Sequence, residues 1–392
     1  MSTEATNEVT GDREYMQRAI RLARKGRYTT DPNPNVGCVI VKHGEIIGEG
    51  WHQQAGGPHA EIHALRAAGD DAEGATVYVT LEPCSHTGKT PPCADALIEA
   101  RVARVIIAMQ DPNPLVAGQG IERLHDAGIE TSCGLLEQQA RELNPGFIRR
   151  MQSGRPFVRV KLAMSLDGRT AMASGESMWI TGEAARRDVQ RLRAESSAIL
   201  TGVETVLADD PSMNVRLDAD DLKLETDDRR IRQPLRVVLD SQHRLARSAA
   251  GSAMKIFAQP GECLVITGNM VDSKLADNKL AENNSSYPYK IDHCAGYGER
   301  GRIDLQALMA LLADRQINLL HVEAGSVLSG ALLKHDLVDE IIVYMAPHIM
   351  GDEAKGLFHL PGLSTMDERI ALNITDTRMV GSDMRLTLKL AG

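Results

Sequence analysis

Apolar positions along this chain follow two rhythms, a helical spacing of three or four and short strand-like runs, and these alternate from residue 14 to residue 345. Between Glu14 and Lys25, Met16, Ile20, Leu22 and Ala23 recur at helical spacing and Gly26 follows as a stop, so this stretch predicts a helix. After the turn-rich DPNPNVG, the run CVIVKHGEIIGEGW predicts two strands joined at His43-Gly44. A helix (59–68), a strand (76–81), a helix (92–101), a strand (105–109), a helix (120–127) and a short strand (130–133) are expected next. That alternation implies a layered α/β domain with helices on both faces of a central sheet.

Turn signals at Asn144-Pro145-Gly146 and Ser153-Gly154-Arg155-Pro156 precede the β-rich FVRVKLAMSLDG and mark a boundary, giving domains of residues 1–150 and 155–392. A chain of 392 residues is also long enough to expect two cores. Past the boundary the alternation repeats. Strands are predicted at 158–164, 198–201, 235–239, 263–267, 319–322 and 340–345, with helices near 183–194, 305–315 and 329–335. The polar stretches 217–233 and 271–297 read as mobile surface insertions without a catalytic role.

Composition narrows the function. Hydrophobic residues at 43% and charged residues at 25% fit a globular enzyme, and a net charge of -9 argues against a sequence-independent grip on nucleic acid. The opening MSTEATNEVTGDRE resembles neither a signal nor a transit peptide, and no apolar run is long enough to span a membrane, so the expected location is the cytoplasm. Six cysteines are too sparse for a disulfide framework. Cys38 and Cys133 fall in predicted strands and read as small buried apolar residues. Cys84 and Cys93 are a close pair, which in a reducing compartment reads as a metal site.

The pair completes a constellation with His59-Ala60-Glu61. One imidazole and two thiolates suit zinc, and three protein ligands leave the fourth tetrahedral position for water. Coordinated zinc lowers the pKa of water from about 15.7 to about 7. Glu61, two residues from His59, is placed to move the protons as general acid/base. Cys93 follows Pro91-Pro92 at the start of a predicted helix, where free N–H groups favour a thiolate. A closed structural site would need a fourth ligand, which His86 or His63 would have to supply; His63 reads instead as a surface or core histidine.

The His-x-Glu and Pro-Cys-x-x-Cys signature marks zinc nucleobase deaminases, but here eight residues, SHTGKTPP, separate the cysteines. With that loop, TLEPCSHTGKTPPCADALIEA and PNPNVGCVIV resemble the deaminase domain of the bifunctional riboflavin biosynthesis deaminase-reductase family. The resemblance implies a cytidine-deaminase-like three-layer α/β/α domain acting on a diamino-hydroxy-pyrimidine that carries a phosphoribosylamino group. Asn33, His86 and Lys89 are then candidate substrate contacts, the last two through the phosphate.

In the second half, the strand 319–322 runs into Glu323-Ala324-Gly325-Ser326 and a helix, an arrangement that either aims N–H groups at a phosphate or forms a ligand-free tight turn. RPFVRVKLAMSLDGRTA, GESMWITGEAAR, TGVETVLADDPSMNVR and EAGSVLSGALL stand in the order of the reductase domain of the same family, so the resemblance spans roughly residues 12–390. It implies a dihydrofolate-reductase-like α/β domain in which NADPH meets Ala163, Trp179, Thr205, Asp209 and the loop Gly325, Ser326, Val327, Leu328, Ser329, Gly330 and Ala331. Ser177, Arg193, Arg216 and Glu323 are expected at the substrate ribose and phosphate, with Lys161 a further active-site candidate. The implied reaction is hydride transfer from NADPH to C1' of the ring-opened ribosyl group.

The expected cofactors are Zn2+ and NADPH. The expected partners are a phosphorylated pyrimidine substrate and other copies of this chain in a homo-oligomer, with no nucleic acid and no membrane. Three rivals differ: a zinc deaminase of nucleosides, nucleotides or a tRNA base; a pterin reductase in the second half; and one half reduced to a non-catalytic dimerisation module. The long cysteine loop and acidic balance oppose the first, and an aromatic content of 3% opposes pterin stacking. All the expected deaminase residues are present, which opposes a spent first half.

Overall fold

The structure, a computed structural model, describes residues 3–85, 92–114, 116–248, 253–268, 289–294 and 302–391. It divides into two compact units, Met1–Gly154 with Leu222–Arg230, and Arg155–Asp221 with Ile231–Gly392.

The sheet of the first unit contains β1 (Gly37–Lys42), β2 (Glu45–Trp51), β3 (Thr76–Val79), β4 (Arg104–Ile107) and β5 (Glu130–Cys133), in the order β2-β1-β3-β4-β5. β2, β1 and β3 pair antiparallel, whereas β3, β4 and β5 are parallel. The helices are α1 (Thr3–Ala23), α2 (Ala60–Ala68), α3 (Cys93–Glu99), α4 (Gln119–Asp126), α5 (Glu137–Arg141) and α6 (Pro145–Ser153). Alternation along the strands places helices on both faces. A Cβ at Gly37 would meet the carbonyl of Ala19 in α1 at 2.0 Å, while at Gly50, opposite the next residue Cys38, it would meet the carbonyl of Ala60 in α2 at 2.2 Å. Glycine is what lets each helix lie this close to the sheet.

Three expectations for this unit change. Pro145 opens α6 rather than a turn, because its missing N–H and fixed φ suit the first helical position. Cys133 is exposed at the end of edge strand β5, whereas Cys38 in central β1 is buried. The stretch 217–233 enters this unit at Leu222–Arg230 and is anchored there, since Leu222 and Leu224 are buried among its charges. Within the first unit, Glu225 pairs with Lys25 at 2.5 Å and Asp228 accepts from Gln54 at 3.1 Å.

The second unit has strands β6 (Phe157–Ser165), β7 (Arg169–Ala171), β8 (Ala198–Gly202), β9 (Leu235–Leu239), β10 (Cys263–Gly268), β11 (Lys290–Cys294), β12 (Leu319–Val322), β13 (Glu340–Ala346), β14 (Lys355–Gly356), β15 (Leu372–Val380) and β16 (Asp383–Leu390). Its helices are α7 (Glu183–Glu195), α8 (Val203–Asp209), α9 (Arg244–Arg247), α10 (Lys255–Ala258), α11 (Leu305–Asp314) and α12 (Ser326–Lys334). The main sheet runs β11-β10-β9-β8-β12-β6-β13-β16-β15, and β7 pairs with β14 separately. From β11 to β13 all neighbours are parallel, and the β15–β16 hairpin adds an antiparallel edge. Successive residues serve two cores: Leu200, Val237 and Leu264 lie in one, Ile199, Val238 and Val265 in the other. Burial on both faces explains why these strands read as continuous apolar runs.

Part of the expected 271–297 insertion is strand β11, preceded by the buried Tyr289; residues 271–288 and 295–297 lie outside the described residues. The C-terminal hairpin escaped prediction because β15 carries the polar run Thr375-Asp376-Thr377-Arg378 in its middle and has no buried face to mark it.

Candidate active sites

His59 is the residue before α2 and Cys93 is the first residue of α3, so both stand at helix N-termini, and Cys84 follows β3. His59 Nδ1 lies 3.6 Å from Cys84 Sγ and 3.2 Å from Cys93 Sγ, and the Cys93 N–H donates to Cys84 Sγ at 3.3 Å. A tetrahedral zinc with bonds of about 2.1 Å to nitrogen and about 2.3 Å to sulfur would separate such donors by about 3.6 Å. The three side chains therefore fit the ion. Among the described residues they form a cluster whose ligand atoms all lie within 4.8 Å of one another, and His63 is outside it. His63 is half-buried, and its Nε2 has no hydrogen-bond partner among the described residues.

The hydrogen bond from the Cys93 thiol, aided by His59, pulls the Cys84 thiol down to about 4 against the effect of burial. The same bond, with burial, pushes Cys93 up. Hydrogen bonding to Cys84 likewise raises His59. Glu61 is buried beside them, and burial lifts its carboxyl to about 7 against the pull of His59. Its Oε2 has no hydrogen-bond partner. A buried, unpaired carboxylate oxygen next to three metal donors marks the place of missing partners.

His52 connects Asn33 to this cluster. Burial lowers His52 to about 4, so the ring is neutral; Nδ1–H donates to the Pro58 carbonyl at 3.0 Å, leaving Nε2 to accept from Asn33 Nδ2 at 3.2 Å. The Asn33 carbonyl oxygen is thereby left for another partner. The His52 ring meets the His59 ring edge-on at 5.4 Å. Sequence reasoning missed His52, which directly follows β2, and Glu82, two residues before Cys84. His86 and Lys89 lie outside the described residues.

In the second unit, the chain passes from β8 outward to β9, β10 and β11, then returns to place β12 on the other side of β8. Loops leaving β8 and β12 part at this reversal, where open parallel sheets hold ligands. A cavity of about 750 Å³ lies there. Lys161, Ala163, Ser177, Arg193, Thr205, Asp209, Glu323, Gly325, Ser326, Val327, Leu328 and Ala331 line it, as do the unanticipated Arg302 and Lys355. Four expected residues are absent from its wall. Trp179 is 70% exposed with its ring against the Arg186 guanidinium, and Arg216 turns to the Asn214 side chain. α12 begins at Ser326, three residues earlier than expected, which turns Ser329 and Gly330 inward; a Cβ on Gly330 would lie 2.3 Å from the His359 carbonyl.

Arg193 is buried, not one arginine of a solvated helix face. Its guanidinium grips the Glu323 carboxylate at 2.6 and 2.9 Å and donates to the Asn214 carbonyl at 3.1 Å. Burial opposes ionisation of Glu323, but Arg193 outweighs it and holds the carboxyl well below its ordinary range. Both groups are committed to each other at the cavity wall. Burial also lowers the Lys161 ammonium, opposed by Glu323.

Two family models match this chain: the cytidine and deoxycytidylate deaminase zinc-binding region over residues 9–109, and the RibD C-terminal domain over residues 156–386. The riboflavin biosynthesis protein RibD of Escherichia coli is 52% identical over 379 residues, covering 96% of this chain and 99% of its own. A RibD structure from Acinetobacter baumannii is 42% identical with a TM-score of 0.86, covering 98% of this chain and 100% of its own. A Thermotoga maritima structure described as a diaminohydroxyphosphoribosylaminopyrimidine deaminase/5-amino-6-(5-phosphoribosylamino)uracil reductase is 32% identical with a TM-score of 0.81, at the same coverage. A cytidine-deaminase-like unit with a zinc-type donor set, followed by a reductase unit, defines a bifunctional deaminase-reductase. The chain belongs to the RibD family of riboflavin biosynthesis enzymes. Membership implies Zn2+ for the first unit and NADPH for the second. No described helix is long and apolar enough to cross a membrane.

Proposed function

We propose that residues 1–150 deaminate a diaminohydroxypyrimidine bearing a phosphoribosylamino group and that residues 155–392 reduce the ribosyl chain of the product to ribityl. The observation that carries this reading is the orphaned Glu61 oxygen beside His59, Cys84 and Cys93. When bound, zinc supplies the Lewis acid that makes water nucleophilic at neutral pH. Glu61 takes the proton from the attacking water and returns protons to the ring nitrogen and the departing amine, a role served by a carboxyl near neutrality. Asn33, oriented by His52, presents its carbonyl oxygen to the exocyclic amine or ring N–H of the pyrimidine. His86 and Lys89 are assigned to the substrate phosphate.

In the second unit NADPH supplies the hydride. The N-terminus of α12, from Gly325 to Leu328, receives a cofactor phosphate on its free N–H groups, with Ala163, Thr205 and Asp209 on the surrounding wall. Lys161 stands ready to give a proton to the nitrogen of the open-chain imine, since burial makes its ammonium a better acid. The Arg193–Glu323 pair shapes the wall beside it and Ser177 faces the ribose. Arg302 and Lys355, which line the cavity, suit the substrate and cofactor phosphates.

Incubating the purified protein with the pyrimidine substrate, with and without NADPH, tests both halves in one mass-spectrometric measurement. Exchange of an amino group for oxygen is expected under both conditions, and gain of two hydrogens only with NADPH. A substrate unchanged after prolonged incubation with zinc-loaded protein overturns the reading. A cytoplasmic setting accords with the free cysteines among the described residues. A homo-oligomer accords with edge strand β15, where Ile374 and Met379 are each 62% exposed.

A further inference from the structure

In a Cys-x-x-Cys motif, one short stretch of backbone sets the distance between the sulfurs. Here eight residues separate Cys84 from Cys93, and the two thiol-bearing segments meet through the Cys93 N–H on Cys84 Sγ at 3.3 Å and the Ala94 N–H on the Cys84 carbonyl at 3.2 Å. α4 braces both segments from outside. Glu82, buried two residues before Cys84, accepts four backbone N–H groups from the segment that leads into α4 and opens it. Asp111 and Gly118 donate to Oε2 at 3.1 and 3.0 Å; Gly120 and Ile121 donate to Oε1 at 2.9 and 3.3 Å. This uses the full acceptor capacity of a carboxylate, about four sites. At Pro83 the backbone is pressed onto α4 so closely that a Cβ on Gly120 would lie 2.0 Å from its carbonyl oxygen.

One turn further along α4, Arg123 reaches back to both sulfur-bearing segments. Its Nη1 donates to the Ser85 carbonyl at 3.2 Å, one residue past Cys84. The same guanidinium holds Asp95, two residues past Cys93 in the first turn of α3, at 2.5 and 2.9 Å. The Cys84 loop is therefore held on both sides of its thiol, and one arginine joins it to the helix that carries the other thiol.

We propose that α4 is the template that fixes the separation of the two sulfurs, with Glu82 and Arg123 as positioning residues for the metal site. The proposal rests on the zinc reading above. It is tested on the full-length protein by the rate of zinc release to an excess of chelating dye, and by the absorption spectrum of the Co2+-loaded form. Outer partners of metal ligands are typically worth about 10–100-fold in affinity. R123M is expected to release zinc about tenfold faster and E82Q up to about a hundredfold faster, both with shifted cobalt bands. R123K, which keeps the charge facing Asp95 but loses the fork, recovers part of the loss. R101M removes an exposed ion pair with Glu73 outside this clamp and should match the wild type.

Because E82Q puts an NH2 donor where one carboxylate oxygen accepted two of the four buried hydrogen bonds, it can cost the fold itself. R123M deletes a half-exposed guanidinium and decides in that event. Zinc release and cobalt spectra of R123M indistinguishable from wild type would overturn the template role. Wild-type protein that takes up neither metal would instead overturn the metal site.

Discussion

In the first unit three donors and one carboxylate meet within a few ångströms, each held at the end of a strand or helix. In the second, side chains and backbone from many loops surround about 750 Å³. Chemistry at a point depends on the identity of each side chain, since no other residue supplies a thiolate or an unpaired buried carboxylate there. A cavity that holds a cofactor depends on shape, backbone N–H groups and a few fixed charges. Substitutions should therefore separate the units. Single changes in the first should abolish a reaction and leave the fold intact, whereas changes in the second should act through stability or affinity.

The largest expected effect sharpens this contrast at Glu61. Glu61→Gln keeps the volume and removes the proton carrier, so zinc content stays at one per chain while ammonia release falls by roughly 10²–10⁴. NADPH-dependent reduction of the deaminated substrate should be unchanged in the same preparation. Loss of both activities together, or undiminished ammonia release, would break the comparison.

Next in size is the buried pair of Arg193 and Glu323. Removing one partner of a buried ion pair costs about 3–5 kcal/mol because the other charge is stranded. Glu323→Gln should therefore speed hydrogen exchange in α7 and β12 at neutral pH while leaving α2 and α3 at wild-type rates. Its pH dependence has a definite sign. The carboxyl is depressed in the folded protein, so its contribution is fully present above the unfolded carboxylate value of about 4.3 and is lost as pH falls through the lower folded value. Wild type and variant should thus converge in acid below about pH 4. A gap that stays constant with pH would assign the pair no electrostatic role.

The same contrast explains what was legible in the sequence. His59, Glu61, Cys84 and Cys93 declare themselves because metal chemistry admits few residue types and their spacing recurs. Parallel strands buried on both faces are legible for a similar reason, as in Leu235–Leu239, where the expected bounds are those of the strand although Arg236 interrupts its apolar residues. What stayed hidden depends on tertiary partners. Arg193 looks like any arginine of a charged helix until Glu323 arrives from another strand. Glu82 looks like a surface acid until four N–H groups converge on it. Leu222 and Leu224 are masked by surrounding aspartates. Ser329 and Gly330 came with the cofactor loop that the resemblance implies, and only the helix starting at Ser326 shows that they leave the cavity wall to its neighbours.

The smallest expected effects come from two glycines of one motif, and they test whether the second unit's site is built from backbone. A Cβ at Gly330 would collide with the His359 carbonyl at 2.3 Å, whereas one at Gly325 would meet nothing within 4 Å. Gly325 has φ −69° and ψ 172°, which alanine adopts without strain. Gly330→Ala should therefore lower stability by about 1–3 kcal/mol through overpacking, read as a lower thermal midpoint. Gly325→Ala should leave that midpoint unchanged. If the N-terminus of α12 receives a cofactor phosphate, however, the added methyl narrows the approach and weakens NADPH binding by about 1 kcal/mol, roughly fivefold. Calorimetric titration of both variants separates the cases. Unaltered NADPH affinity in Gly325→Ala would move the phosphate away from α12 and toward Arg302 or Lys355 on the cavity wall.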